Sequence, residues 1–228
     1  MSPRHHRRPF DTAVLPGVSV REALTGSRRF WLLALPVFLV ATAVNGTVVH
    51  MVPLLTDRGS SAAFATSMLS SVGLASILGR LLCGYLADRF FAPSVAAGFF
   101  VLPCIGIFVL IIGARSFWPL IGAITLGLAL GAEIDMIGYL TTRYFGLRRF
   151  GELYGYLFAV FAVGSALGPY FMGVAFDAFH SYDSALACFM IALIIASLLI
   201  SRLSAYVFPV EGAVTRAEPT SLSRGVAT

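Results

Sequence analysis

The sequence predicts an all-α membrane protein whose six transmembrane helices form a 3+3 inverted repeat. Three observations carry this. The 228 residues are 58% hydrophobic and only 12% charged, with a mean hydropathy of +0.87; soluble domains carry about 25% charged and 45–50% apolar residues. Six segments reach the roughly 20 apolar residues that a helix needs to cross a hydrocarbon core of about 30 Å. Finally, residues 75–90 (ASILGRLLCGYLADRF) and 164–179 (GSALGPYFMGVAFDAF) share one skeleton. Ser76/Ser165, Leu78/Leu167, Gly79/Gly168, Gly84/Gly173, Asp88/Asp177 and Phe90/Phe179 coincide at a constant separation of 89 positions. Upstream, Phe30-Trp31 and Phe117-Trp118 each open a 30-residue stretch that ends in glycine, Gly59 and Gly146. With three spans per unit, the second unit must cross the membrane in the opposite sense to the first. Inverted repeats of this kind are a mark of secondary transporters.

Residues 1–29 are polar, basic and interrupted by Pro3, Pro9 and Pro16. They contain no apolar run followed by a small-residue cleavage site, so they do not read as a secretory signal. They read as a disordered cytoplasmic linker, with a short amphipathic turn around residues 20–24. The transmembrane domain is expected over 30–207, with spans at about 30–55, 62–87, 93–113, 117–142, 152–176 and 183–207. The third span carries no charge at all. Transmembrane β-strands would be half as long and would alternate in polarity. Residues 208–228 read as a disorder-like cytoplasmic tail. Cys83, Cys104 and Cys188 fall inside spans without metal-ligand spacing and read as small apolar packers. No metal site and no cofactor are expected.

Orientation follows from arginine, since the chain has no lysine. Thirteen arginines fall in the segments on one side of the predicted topology, Arg58 and Arg115 on the other, and Arg80 lies within a span. The positive-inside rule places both termini in the cytoplasm, in the plasma (inner) membrane, with 56–61, 114–116 and 178–182 facing outward. The pI of about 9.4 is therefore a topology signal. Nucleic-acid binding would need a basic patch on a soluble face, and none is visible.

GRLLCGYLADRF (79–90) resembles the loop signature of the major facilitator superfamily, between the second and third helices of a domain. FGELYGYLFAVFAVGSALGPYFMGVAFD (150–177) is similar to the eleventh helix of such transporters, and YFGLRRFGELYG (144–155) to the cytoplasmic loop before it. In this order the motifs resemble the C-terminal six-helix half, helices seven to twelve, preceded by the central linker. After Arg89 the family signature often continues with glycine and basic residues, where this chain has Phe90-Phe91-Ala92-Pro93. The resemblance implies alternating access across a cavity between two halves, of which this chain supplies one. It is then either a truncated product, a membrane subunit that moves nothing alone, or one that needs a second six-helix half or a second copy of itself.

Charged groups within the spans are where substrate chemistry would sit, because a charge at the bilayer centre costs at least about 2.5–3.5 kcal/mol on insertion scales. Arg80 in the second span, and Glu133 and Asp135 in the fourth, lie at matching depths. Either carboxylate can pair with Arg80 structurally, and either can carry a coupling proton. Arg80 can instead capture an anionic substrate, since a guanidinium fork matches a carboxylate. The resemblance to oxalate/formate and monocarboxylate transporters, which carry a substrate-binding arginine on the eighth helix, implies the same for Arg80. No Lys or Arg falls within 153–176, which favours a monocarboxylate over a dicarboxylate held between two cations. Two positions apart, Glu133 and Asp135 face about 200° from one another. Asp135 shares its stripe with Gly131, Tyr139 and Thr142 and is expected to face the cavity, with Tyr139 as a further contact. Asn45 on the first span is a weaker binding candidate, its pair with Gly46 marking an expected helix break. Asp88 and Arg89 are expected to gate. No serine–histidine elbow, HExxH, phosphate loop or CxxC is present, so the chain does not read as an enzyme. Nor is there a filter-like loop or charged ring of a channel. The sequence thus reads as a secondary transporter, or half of one, for a small organic anion.

Overall fold

In a computed structural model the chain is described over residues 17–113 and 117–207. The expectations for residues 1–16, 114–116 and 208–228 lie outside the described residues. The elements are α1 (Arg28–Val49), α2 (Met51–Asp57), α3 (Ala62–Arg89), α4 (Ala92–Val101), α5 (Pro103–Ile112), α6 (Trp118–Phe145), α7 (Phe150–Phe179) and α8 (Asp183–Ser201). They make six apolar helices long enough to span a membrane, α4 and α5 forming one of them.

The interruptions have local causes. Pro53 has no N–H to give the Val49 carbonyl, so the first helix steps at His50, where φ is −91° and ψ 5°, before α2 continues it. Pro103 likewise cannot serve the Phe99 carbonyl, and the third helix steps at Leu102. Asn45-Gly46, expected to break the first helix, does not: α1 runs on to Val49, and Asn45 Nδ2 donates to the Ala41 carbonyl at 3.0 Å. Ser27 and Ser61 cap α1 and α3, each hydroxyl accepting a backbone N–H at 3.2 Å. At the far end of α6 the chain reverses through Gly146, with φ +75°, a conformation glycine adopts without strain. The sixth helix ends at Ser201, short of the expected 207. Its continuation turns back so that the Tyr206 hydroxyl accepts the Ala92 N–H at 2.7 Å.

Residues 17–27, expected to be disordered linker, dock against the bundle. The Val18 N–H donates to the Phe145 carbonyl at 3.1 Å, and Gly17 bridges to Gly146 in antiparallel fashion. A Cβ on Gly17 would lie 2.8 Å from that of Arg148. The Ser19 N–H and hydroxyl both donate to the Glu22 carboxylate, at 3.0 and 2.9 Å. These bonds hold the Glu22 carboxyl below its usual range. Ala23 is fully buried, and the Trp31 indole N–H donates to the Leu24 carbonyl at 3.2 Å.

Packing has the symmetry that the repeat requires. The most extensive contacts are α3 along α6 and α1 along α7, and the repeat exchanges these two pairs. Gly79 presses on the Leu128 carbonyl, and its counterpart Gly168 presses on the Thr42 carbonyl. The third and sixth helices, which exchange with each other, pack together through α4, α5 and α8. Glycine is needed at both crossings because any Cβ would collide with backbone. We therefore predict that Gly79→Ala and Gly168→Ala each lower thermal stability in detergent, by about 1–3 kcal/mol, the range for overpacking. Gly84→Ala, at an exposed position with nothing within 4 Å of the added Cβ, should cost nothing. Equal melting temperatures for all three variants would contradict this packing.

Candidate functional site

Three glycines set the distance between α3 and α6. Added Cβ atoms on Gly79, Gly127 and Gly131 would meet backbone of Leu128, Val72 and Ser76 respectively. The Arg80 amide lies 3.0 Å from where a Cβ on Gly131 would sit. This closeness brings the side chain of Arg80, on α3, next to Asp135, one turn beyond Gly131 on α6. Arg80 Nη1 lies 4.0 Å from Asp135 Oδ1, and the side chains are 53% and 41% exposed. The pair is in contact but is not a fork-to-carboxylate bond, and the guanidinium side chain stays half-exposed.

Glu133 is elsewhere. It is 0% exposed, on the opposite side of α6, and neither carboxyl oxygen has a hydrogen-bond partner among the described residues. Of the two carboxylates considered for Arg80, only Asp135 is within reach. Glu133 is a polar atom pair in the core without a counter-charge.

Tyr139 follows Asp135 by one turn. Its hydroxyl donates to the Ala87 carbonyl of α3 at 2.9 Å and accepts from Arg143 Nη2 at 2.8 Å. Both bonds are internal, so Tyr139 fixes the end of α3 to α6. Arg143 was not singled out from the sequence, although its spacing of four from Tyr139 on one helix face was the available signal. The guanidinium stacks on the rings of Tyr139 and Tyr206, at 4.9 and 5.3 Å. Asn45 is half-buried and bonded within its own helix. Asp88 and Arg89 are exposed at the end of α3, with Arg89 over the Tyr85 ring at 4.8 Å. At the other end of the bundle Arg58 binds both the Leu110 carbonyl and the Asp183 carboxylate, joining α2, α5 and α8. Among the described residues no cluster of His, Cys, Asp and Glu has metal-holding geometry.

A double-mutant cycle should separate the carboxylates. Arg80→Ala with Asp135→Asn should show coupling of up to about 1 kcal/mol in unfolding experiments, the scale of a half-exposed pair. Arg80→Ala with Glu133→Gln should be additive. Coupling in the second cycle would mean that Arg80 reaches Glu133.

Residues 2–169 match the sequence profile of the Major Facilitator Superfamily. Among curated proteins, human monocarboxylate transporter 11 is 26% identical over 169 residues, covering 68% of this chain and 36% of its own length. Monocarboxylate transporter 9 of Gallus gallus is 29% identical over 121 residues, covering 52% of this chain and 24% of itself. Among solved structures, an auto-inhibited POT family peptide transporter superposes with a TM-score of 0.65 at 20% identity, over 87% of this chain and 43% of the other. The E. coli fucose:proton symporter does so with a TM-score of 0.62 at 16% identity, over 81% and 48%. The chain thus spans about a third or less of the curated relatives it matches, and under half of the solved chains.

Proposed function

Because the chain belongs to the Major Facilitator Superfamily, we propose that it forms one six-helix half of a secondary active transporter that moves a small organic anion by alternating access. The substrate class we favour is a monocarboxylate. One observation carries the reading: Arg80 sits at membrane depth, 53% exposed, and touches its nearest carboxylate only at 4.0 Å. A charge left this open within a span is costly unless something else occupies it. The monocarboxylate transporters among the relatives support a carboxylate as that occupant, and the guanidinium fork suits it.

A carboxylate substrate would compete with Asp135 for Arg80. When the anion takes the guanidinium, Asp135 loses its counter-charge, and a proton entering with the anion restores neutrality. Asp135 is thus the residue we assign to coupling, with Tyr139 beside the anion site and Asp88 and Arg89 gating at the end of α3; Asn45, bonded within α1, is kept as a weaker binding candidate. Alternating access needs a facing surface, supplied by a second six-helix half or a second copy of the chain. The second reading is a membrane subunit that moves nothing alone.

We read both termini as cytoplasmic from the arginine distribution, and the membrane as the plasma (inner) membrane. In a cysteine-free background, Ser60→Cys should label from outside intact cells with an impermeant thiol reagent, whereas Leu147→Cys should not. Labelling of Leu147→Cys alone would invert the orientation.

The functional test is Arg80→Lys, assayed with a second half present. Lysine keeps the charge and the insertion but cannot make the two-pronged contact. Uptake of a radiolabelled monocarboxylate should fall at least about tenfold, since charged hydrogen bonds are worth roughly 1.5–3 kcal/mol. Normal uptake by this variant would end the anion-binding role of Arg80.

A further inference from the structure

We propose that Arg143 forms a second anion site, one that takes the same small carboxylate on the cytoplasmic side of the Arg80–Asp135 pair. The inference rests on the reading of Arg80 as a substrate site and adds a second station to it.

Arg143 lies on the same stripe of α6 as Asp135 and Tyr139, eight residues and therefore about 12 Å further along the helix. On α3 the parallel path leads from Arg80 to Ala87, whose carbonyl receives the Tyr139 hydroxyl at 2.9 Å. Tyr139 is thus a fixed partition between the two cations. Among the described residues the ion pairs are Arg58–Asp183, Arg80–Asp135 and Arg149–Glu152, and none involves Arg143. Among the described residues its one hydrogen bond, from side-chain Nη2 to the Tyr139 hydroxyl at 2.8 Å, uses one of five donors.

The rest of its surroundings is aromatic. The guanidinium rests on the Tyr139 and Tyr206 rings at 4.9 and 5.3 Å, and Tyr206 is itself anchored by the Ala92 N–H at 2.7 Å. Two held rings fix the plane of the fork, and no carboxylate among the described residues pairs with it. A merely structural arginine at a helix end would be expected to spend its donors on carbonyls or a carboxylate. Here the nearby Ala87 carbonyl accepts from Tyr139 and not from Arg143. What remains is an oriented fork, half-buried and one partition away from Arg80, with four donors unspent among the described residues. That geometry suits a planar carboxylate.

The test uses the purified chain in nanodiscs of zwitterionic lipid, with phenylglyoxal as an arginine reagent and mass spectrometry to follow each site. Lactate, at ionic strength matched with chloride, should slow modification of Arg143 several-fold and saturably. It should do so in the Arg80→Lys variant too, while exposed Arg148 and Arg149 stay unprotected. Protection of Arg80 without protection of Arg143 would overturn this inference and leave the Arg80 reading intact. If lactate protects neither, both fail. If Arg143 is shielded by anionic phosphatidylglycerol and not by lactate, its occupant is a lipid phosphate and the proposal is wrong.

Discussion

The structure depends on backbone pressed against backbone at two helix crossings. Gly79 meets the Leu128 carbonyl and Gly168 meets the Thr42 carbonyl. In lipid, apolar side chains gain little by leaving the solvent for one another, so helices associate through close van der Waals fit. Small residues at a crossing let two helices approach over many turns, and α3 on α6 and α1 on α7 make the longest contacts in the bundle. Gly127, Gly131, Gly164 and Gly46 extend the same two seams. The remaining helices, α4, α5 and α8, close the bundle around these pairs with Phe100, Ile107, Leu110, Phe189 and Leu193 buried between them.

This arrangement commits one face of α3 and of α7 and leaves the rest bare. Leu74, Leu78 and Leu81 on α3, and Val163, Tyr170 and Val174 on α7, are all exposed. Exposed leucine is at home in a bilayer, but an exposed arginine is not. Arg80 lies on that bare surface of α3, and Asp135 reaches it only because the seam is tight. Packing and the placement of charge are therefore linked: loosening the Gly131–Ser76 approach would carry Asp135 away from Arg80.

Much of this was legible in the sequence because the signals were local or periodic. Six apolar runs define the helices, and a constant separation of 89 positions with glycines at matching offsets defines the repeat. The separation of Asp135 from Glu133 followed from helical geometry alone. What escaped was set by contacts distant in sequence. The docking of residues 17–27 depends on the Phe145 carbonyl and the turn at Gly146, which no local pattern in a polar, proline-broken segment reveals. The sequence Asn45-Gly46 reads as a break in the first helix, yet Gly46 is a packing residue, facing Phe189 and Gly168; the break belongs to Pro53. Arg143 went unnoticed because it sits at a helix end, where arginine is ordinary, and its setting depends on Tyr206, which lies beyond the last helix.

The repeat also weighs the role of its charged pair. At the separation of 89, the counterpart of Arg80 is Pro169. The two crossings make Leu128 the counterpart of Thr42, an offset of 86, and so make Val49 the counterpart of Asp135. The α1–α7 seam therefore holds a proline and a valine where the α3–α6 seam holds an arginine and an aspartate. Both seams pack closely and extensively, so the scaffold is built without an ion pair in one of its two copies. Helix association does not explain why the other copy carries one, and a charge in a span costs several kcal/mol to keep. Where a duplicated framework departs from its own symmetry by adding charge, the addition serves something other than the framework. In this chain that departure falls at the half-exposed surface of α3 and α6, at Arg80 and Asp135.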